Sequence, residues 1–126
     1  MPILGLLDTD YMKVRPDLKV VKDPYSGEEY VAVPPIHPDV AIIHGLKGDR
    51  FGGVTVLGDR NDRLLATAAA KTIAVVEALV DPDEVLPGLQ EVYVAPMHVH
   101  AVVAAPGGAH PTACPGRYGV DAAHMA

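Results

Sequence analysis

The sequence predicts an α/β protein with a partial, open and mostly parallel β-sheet. Two apolar runs carry this prediction. Residues 39–44 contain the run Val-Ala-Ile-Ile, and residues 72–80 contain a second run of similar character. Continuous apolar runs are typical of strands that are covered on both faces, as in parallel sheets. Between them, residues 60–71 carry apolar side chains at helical spacing, which predicts a crossover helix.

The chain offers only this one strong helix. Asp59 or Asn61 can cap its start, and Lys71 lies in its last turn, where a cation interacts favourably with the helix dipole. Its apolar stripe consists of Leu64, Leu65, Ala68 and Ala69. Because four or five apolar strands accompany a single helix, one face of the sheet lacks a cover within this chain. We therefore expect a partner subunit or self-association, with a homo-oligomer when the chain is alone.

Shorter elements complete the predicted fold. Further strands are predicted at residues 30–33, 54–57, 92–95 and 99–105. Residues 1–29 carry no convincing period and are expected to be irregular, with a turn at residues 23–28. The strand at 30–33 ends at Pro34, because proline cannot donate to a strand ladder. Most of the chain from Pro106 onward is predicted to be loop.

Length, composition and charge limit the classes of function. With 126 residues, the chain fits a single domain spanning residues 1–126. The formal net charge of −6 disfavours nucleic acid as a partner. The single Cys114 excludes an internal disulfide framework and a cysteine-built zinc site, and it favours a reducing, cytoplasmic location. We expect neither a signal peptide nor a membrane span in the N-terminal residues.

The first candidate site is the glycine-rich stretch at residues 44–53. It follows a buried strand directly, and open α/β sheets bind their ligands at the carboxyl ends of their strands. The glycines permit close approach of a ligand, and His44 and Asp49 offer hydrogen bonds and charge. The alternative is that Asp49 closes a turn on its own backbone. The glycine spacing matches no common nucleotide-binding motif.

The other candidates are histidines near the C-terminal end. If residues 97–100 form a strand, His98 and His100 share a face and could converge on a metal with His110; the alternative is a pair of polar residues on a wet strand face. No matching carboxylate or cysteine spacing accompanies them, so we predict no metal. The loop at residues 106–112 either lines a site through His110 or is only structural. Cys114 has no base beside it, which disfavours a nucleophilic role.

Ordered blocks through nearly the whole chain carry a resemblance to a known family. They include Asp-Pro-Tyr-Ser-Gly-Glu at residues 23–28 and Pro-Asp-Val-Ala-Ile-Ile-His at residues 38–44. They continue with Gly-Asp-Arg-Phe-Gly at residues 48–52, Thr-Ile-Ala-Val-Val-Glu at residues 72–77 and Ala-Pro-Gly-Gly-Ala-His-Pro-Thr at residues 105–112. In these blocks the chain resembles the second half of the A (alpha) subunit of family I CoA-transferases, and the glutaconate CoA-transferase A type most of all.

The resemblance implies an open α/β fold and an A/B pair of subunits that moves CoA between an acyl-CoA and a free carboxylate. In that family the thioester is attacked by a glutamate of the B subunit, whereas a glycine-rich oxyanion segment lies in the first half of the A subunit. Neither part is found in this chain, and Ser26-Gly27-Glu28 is not a substitute. Gly48 and Gly53 stand where the family often has Ala and Asn. Against the family the chain looks truncated at both ends.

These implications define the functional expectations. The chain is expected to be a portion of a CoA-transferase A subunit, inactive alone and without a catalytic residue of its own. We place His44, Asp49 and His110 nearest the substrate pocket, with coenzyme A as substrate rather than cofactor. Two alternatives stay open: a subunit of a related CoA-ester hydrolase or ring-opening enzyme, and a non-catalytic binding or assembly fragment. The expected partners are a B-type subunit or a second copy of the chain, and acyl-CoA.

Overall fold

The computed structural model describes residues 2–58 and 61–126. Its contacts divide the chain into one unit that ends at Ile36 and a larger unit that begins at His37. The single domain spanning residues 1–126 stays a prediction. Within the described ranges, no helix is long and apolar enough to cross a lipid bilayer.

The first unit is a small antiparallel sheet. Its elements are β1 (Pro2–Ile3), α1 (Tyr11–Val14), β2 (Lys19–Lys22) and β3 (Glu29–Ala32), with the strand order β1-β3-β2. The predicted turn at residues 23–28 joins β2 to β3. Asp23 Oδ1 accepts hydrogen bonds from the main-chain N–H groups of Tyr25 and Ser26, at 2.7 and 2.8 Å, and Gly27 has a φ of 76°.

One expectation for this unit was wrong. Residues 1–29 were expected to be irregular, but β2 pairs with β3 over four residues. All four residues of β2 are exposed. A strand without a buried face carries no alternation of apolar and polar residues, so the sequence pattern gave no signal for it.

The second unit contains two further sheets. Its strands are β4 (Val40–Gly45), β5 (Lys47–Gly48), β6 (Val54–Leu57), β7 (Lys71–Val76), β8 (Glu91–Val94) and β9 (Ala101–Ala104). The order β4-β7-β9 forms an open parallel sheet, and β5-β6-β8 forms an antiparallel one. Its helices are α2 (Asp62–Ala68) and α3 (Ala122–Met125). The predicted open α/β fold, with β4 and β7 parallel and a helix between them, is confirmed.

The boundaries of two predicted elements were wrong. The helix was expected over residues 60–71, but α2 ends at Ala68, and Lys71 is the first residue of β7. Main-chain bonds from Ala70 N to Pro38 O (2.9 Å) and from Lys71 N to Asp39 O (3.1 Å) recruit the end of this segment into the sheet. Asn61 is the N-cap residue without a side-chain bond, whereas Asp59 and Arg60 lie outside the described residues.

The second boundary concerns the strand expected over residues 72–80. β7 ends at Val76, and the chain then turns to form an isolated parallel bridge between Leu79 and Gly48. The bond from Gly48 N to Ala78 O (3.0 Å) and the bond from Val80 N to Gly48 O (2.9 Å) hold that bridge. The second apolar run therefore contributes a strand to the parallel sheet and a single bridge to β5 of the antiparallel sheet.

The two faces of the parallel sheet differ in their cover. The buried core consists of Ile43, Val54, Val56, Ala66, Ala74, Val76 and Val94. It joins one face of the parallel sheet to α2 and to the antiparallel sheet. On the opposite face, Val40, Ile42 and Val103 are 51%, 68% and 47% exposed. Within the part of the chain that the structure describes, these three side chains of the apolar face remain exposed.

Candidate functional site

Glu77 lies immediately after the C-terminal end of β7 and is 8% exposed. Its carboxylate is hydrogen-bonded to three groups. Oε1 accepts from the Tyr118 hydroxyl at 2.6 Å and is bonded to His44 Nε2 at 2.9 Å. Oε2 accepts from the main-chain N–H of Gly107 at 2.7 Å. We name these four residues the Glu77 cluster, and it joins two parallel strand ends to a distant loop.

The electrostatics of the cluster fix its protonation. Burial opposes ionisation of Glu77, but the bonds from Tyr118, Gly107 and His44 together outweigh it and lower the pKa of the carboxyl group. Burial, followed by the hydrogen bond to Glu77, raises the pKa of Tyr118. At neutral pH the carboxylate is therefore ionised and the phenol keeps its proton. Because an ionised carboxylate only accepts, His44 Nε2 donates to it.

The distant loop covers residues 105–118, and we name it the His110 loop. The main-chain N–H of Gly107 ties this loop to Glu77. A second bond lies within the loop, where the Tyr118 hydroxyl accepts from the main-chain N–H of Ala109 at 3.0 Å. Cys114 is buried and pairs through its main chain with Tyr118. Gly108 leaves no room for a side chain, since an added Cβ would lie 2.8 Å from Ala105 O. The loop is thus held at several points.

His110 lies on the outer side of this loop. Its Nε2 is 3.0 Å from Asp121 Oδ2, and both side chains are about half exposed. Its ring also meets the ring of His124 edge to face, with the centroids 4.9 Å apart. The hydrogen bond to His110 lowers the pKa of Asp121.

Asp49 is 3% exposed, and its carboxylate binds its own turn. Oδ1 accepts from the main-chain N–H groups of Phe51 at 2.7 Å and Gly53 at 3.0 Å. The Asp49 N–H donates in turn to Gly53 O at 2.9 Å. A Cβ at Gly53 would lie 2.5 Å from Asp49 Oδ2, so this position needs glycine. The alternative that Asp49 closes a turn on its own backbone is therefore the arrangement observed.

The structure links two of the three predicted site residues. His44 binds Glu77, and Glu77 holds the loop that carries His110. Asp49 instead borders a separate cavity of about 230 Å³, which Arg50 and Leu79 also line. Sequence reasoning gave Glu77 and Tyr118 no site role. Glu77 follows a buried apolar run directly, as His44 does, so the same strand-end argument could have found it.

The proposed strand at residues 97–100 was wrong. Residues Pro96–His98 form a 3₁₀ turn, which begins at a proline because its fixed φ suits the first position of a helix. His100 Nδ1 accepts a bond from the main-chain N–H of Thr72 at 3.2 Å. Two groups of His, Cys, Asp or Glu side chains among the described residues have ligand atoms within 4.8 Å of one another. Neither group contains His98 or His100.

Comparison with known proteins places this chain in a family. The Coenzyme A transferase family model matches residues 11–105. The chain is 35% identical, over 114 residues, to the A subunit of 3-oxoadipate CoA-transferase from Pseudomonas knackmussii, covering 90% of this chain and 40% of that protein. It is 33% identical, over 131 residues, to the cholesterol ring-cleaving hydrolase IpdA subunit of Rhodococcus jostii, covering 96% of this chain and 44% of that protein.

A solved structure agrees with these matches. The crystal structure of glutaconate coenzyme A-transferase from Acidaminococcus fermentans superposes with a TM-score of 0.78 and 29% identity, over 99% of this chain and 45% of that one. The fold is that of an open α/β protein. The chain belongs to the Coenzyme A transferase family and resembles its A subunits. It spans less than half the length of these relatives.

Proposed function

We propose that this chain is part of a CoA-transferase A subunit that moves CoA between an acyl-CoA and a carboxylic acid, together with a B subunit, in the cytoplasm. Coenzyme A is a substrate in this proposal, and no cofactor takes part. The family match over residues 11–105 is the observation that carries it. The transferase relatives named above support it over the other CoA-ester chemistries.

In this proposal the chain shapes the pocket and supplies no nucleophile. Glu77 is the buried acid at the strand ends, but three hydrogen bonds already occupy its oxygens and lower its pKa. A carboxylate stabilised in this way is a poor nucleophile. In this proposal the attacking carboxylate comes from the B subunit, which is what the family resemblance implies.

We place His44, Asp49 and His110 nearest the substrate pocket. Support for His44 comes from its position at the carboxyl end of β4, where open α/β sheets bind ligands. His110 is half exposed on a loop that the same strand ends hold. Asp49 acts through the main chain, since its bonds to Phe51 and Gly53 set the path of the loop that contains Arg50. His110→Ala should therefore lower turnover of the assembled enzyme more than it lowers thermal stability.

The uncovered face of the parallel sheet supports an assembly. Val40, Ile42 and Val103 expose apolar side chains there, and exposed apolar patches mark interaction surfaces. The occupant is a B-type subunit or, when the chain is alone, a second copy of it. Sedimentation at micromolar concentration should therefore show a species heavier than 13.3 kDa. A clean monomer would contradict the self-association.

A second candidate function is hydrolysis or ring opening of a CoA ester. The Rhodococcus jostii relative is named a ring-cleaving hydrolase subunit and covers 96% of this chain, which favours this candidate. Product analysis separates the two. When a B subunit, an acyl-CoA and a carboxylate are supplied, a transferase gives a new acyl-CoA, whereas a hydrolase gives free CoA. Saturable partner binding without either product would leave only an assembly role.

The same assay tests the role of the B subunit. The purified chain alone should show no CoA transfer, because losing even one oxyanion donor typically costs about 10²–10³ in rate. Treatment of the chain with acyl-CoA and then with borohydride or hydroxylamine should leave every acidic residue unmodified. A trapped adduct on Glu28, Glu77 or Glu84, or turnover without a partner, would overturn the proposal.

A further inference from the structure

A second group of side chains lies where the His110 loop meets the start of α3, and it shares no residue with the Glu77 cluster. It consists of His110, Asp121 and His124, which we name the outer triad. One ligand atom of each residue lies within 4.8 Å of those of the other two. The closest pair is His110 Nε2 and Asp121 Oδ2, at 3.0 Å. All three side chains are exposed, so an ion from solvent can reach them.

The main chain preorganises this group. Asp121 N donates to Pro111 O at 2.9 Å, which pins Asp121 beside His110. The second oxygen of Asp121, Oδ1, accepts from the main-chain N–H of His124 at 3.1 Å and caps α3. That bond occupies Oδ1, and Oδ2 is the oxygen that meets the His110 ring. A carboxylate held by one oxygen and free to bind through the other is a typical ligand of a divalent cation.

We propose that the outer triad binds a zinc ion. Two imidazoles and one carboxylate are a donor set that zinc uses, and they leave the fourth position for water. In a tetrahedral site with ligand bonds of about 2.0 Å, donor atoms lie roughly 3.3 Å apart. His110 and Asp121 already meet this spacing within a few tenths of an ångström, and rotation of the exposed His124 ring brings in the third donor.

The protons balance without another reactant. When no ion is bound, the N–H group at His110 Nε2 donates a hydrogen bond to Asp121 Oδ2. In that tautomer Nε2 carries the proton and cannot bind a cation. Zinc takes the Nε2 lone pair, and the proton of the neutral imidazole moves through solvent to Nδ1. An imidazolium must instead release a proton, so the affinity falls at acidic pH.

The buried group of His44, Glu77 and Cys114 also has close ligand atoms. It is the weaker candidate, because Glu77 already accepts bonds on both oxygens. A cation there would have to displace the Tyr118 hydroxyl or the Gly107 N–H inside the protein. The outer triad loses only one exposed hydrogen bond when it binds an ion.

The test uses the untagged full chain, first stripped of metal ions with a chelator. Zinc chloride is then titrated into it, and calorimetry measures the binding. We expect saturable binding of one ion per chain. Asp121→Asn keeps an oxygen for the cap on His124 but loses the charge, and it should weaken binding by at least about 10-fold. His124→Ala should do the same, and the exposed His37→Ala is the matched control, with unchanged affinity.

Nuclear magnetic resonance of the histidine rings gives a second readout. One equivalent of zinc should shift the ring signals of His110 and His124 and leave that of His37 in place. The proposal is overturned if no saturable binding is found. It is also overturned if Asp121→Asn and His124→Ala bind zinc as the unsubstituted chain does, or if His44→Ala removes the binding in their place. Activity with a B subunit plays no part in this test.

Discussion

The loop between the antiparallel strands β5 and β6 and the loop that follows the parallel strand β9 are held in different ways. The Asp49 loop, residues 49–53, closes on itself, since Asp49 binds the main chain two and four residues away. The His110 loop is held by Glu77, which lies 30 residues before Gly107 and 41 before Tyr118. The first loop carries its own constraints, whereas the second takes its shape from the end of β7. A change at Glu77 therefore acts on a loop that lies far from it in the sequence.

The largest expected effect follows from removal of that anchor. Glu77→Ala leaves Gly107 N–H and the Tyr118 hydroxyl without their acceptor, and we expect a loss of about 3 kcal/mol in the free energy of unfolding. Urea denaturation followed by circular dichroism measures it. The exposed Glu84→Ala is the control and should change stability by less than about 0.5 kcal/mol. Equal stabilities of the two variants would show that Glu77 anchors nothing.

Amide substitutions sharpen the contrast between the loops. Asp49→Ala should cost about 2 kcal/mol, because two main-chain donors lose a charged acceptor. Asp49→Asn should restore most of that stability, since both donors bind Oδ1 alone. Glu77→Gln should restore little, because Glu77 accepts on both oxygens and an amide nitrogen cannot accept. Full recovery by Glu77→Gln would argue against the two-sided role of Glu77.

The free energy of unfolding should depend on acidic pH through the Glu77 carboxylate. The pKa of Glu77 is lowered from its ordinary value of 4.5. A lowered pKa in the folded state stabilises the protein above the ordinary value, and that contribution is lost as the pH falls through the folded value. The stability difference between the unsubstituted chain and Glu77→Gln should therefore narrow below pH 4.5. The exposed Glu84→Gln serves as the control variant in the same measurement.

The smallest effect is expected at alkaline pH. The pKa of Tyr118 is raised above its ordinary value of 10.0, so its contribution is present below that pH and is lost as the pH rises through the folded value. The advantage of the unsubstituted chain over Tyr118→Phe should thus shrink above pH 10. Tyr25 is 97% exposed, and Tyr25→Phe serves as the control variant. A constant difference for Tyr118→Phe would contradict its bond to Glu77.

The contrast also explains what the sequence could predict. Strands β4 and β7 and the helix between them were predictable, because their apolar patterns are local and strong. The turn at Asp49 was predictable as an alternative for the same reason, since aspartate binds nearby main chain wherever a turn permits it. The role of Glu77 depends on Tyr118, a partner 41 residues away, and no local pattern encodes such a pair. β2 was not predicted, because no face of it is buried and its sequence therefore shows no alternation of apolar and polar residues.

Amide hydrogen exchange tests the anchoring of the His110 loop by Glu77 most directly. The Gly107 N–H donates to Glu77, the Ala109 N–H donates to Tyr118, and the Gly53 N–H donates to Asp49. In Glu77→Gln we expect exchange at Gly107 and Ala109 to accelerate at least about 10-fold, the equivalent of a lost bond of about 1.4 kcal/mol, while Gly53 keeps its rate. Unchanged rates at Gly107 and Ala109, or equal acceleration at Gly53, would contradict the account.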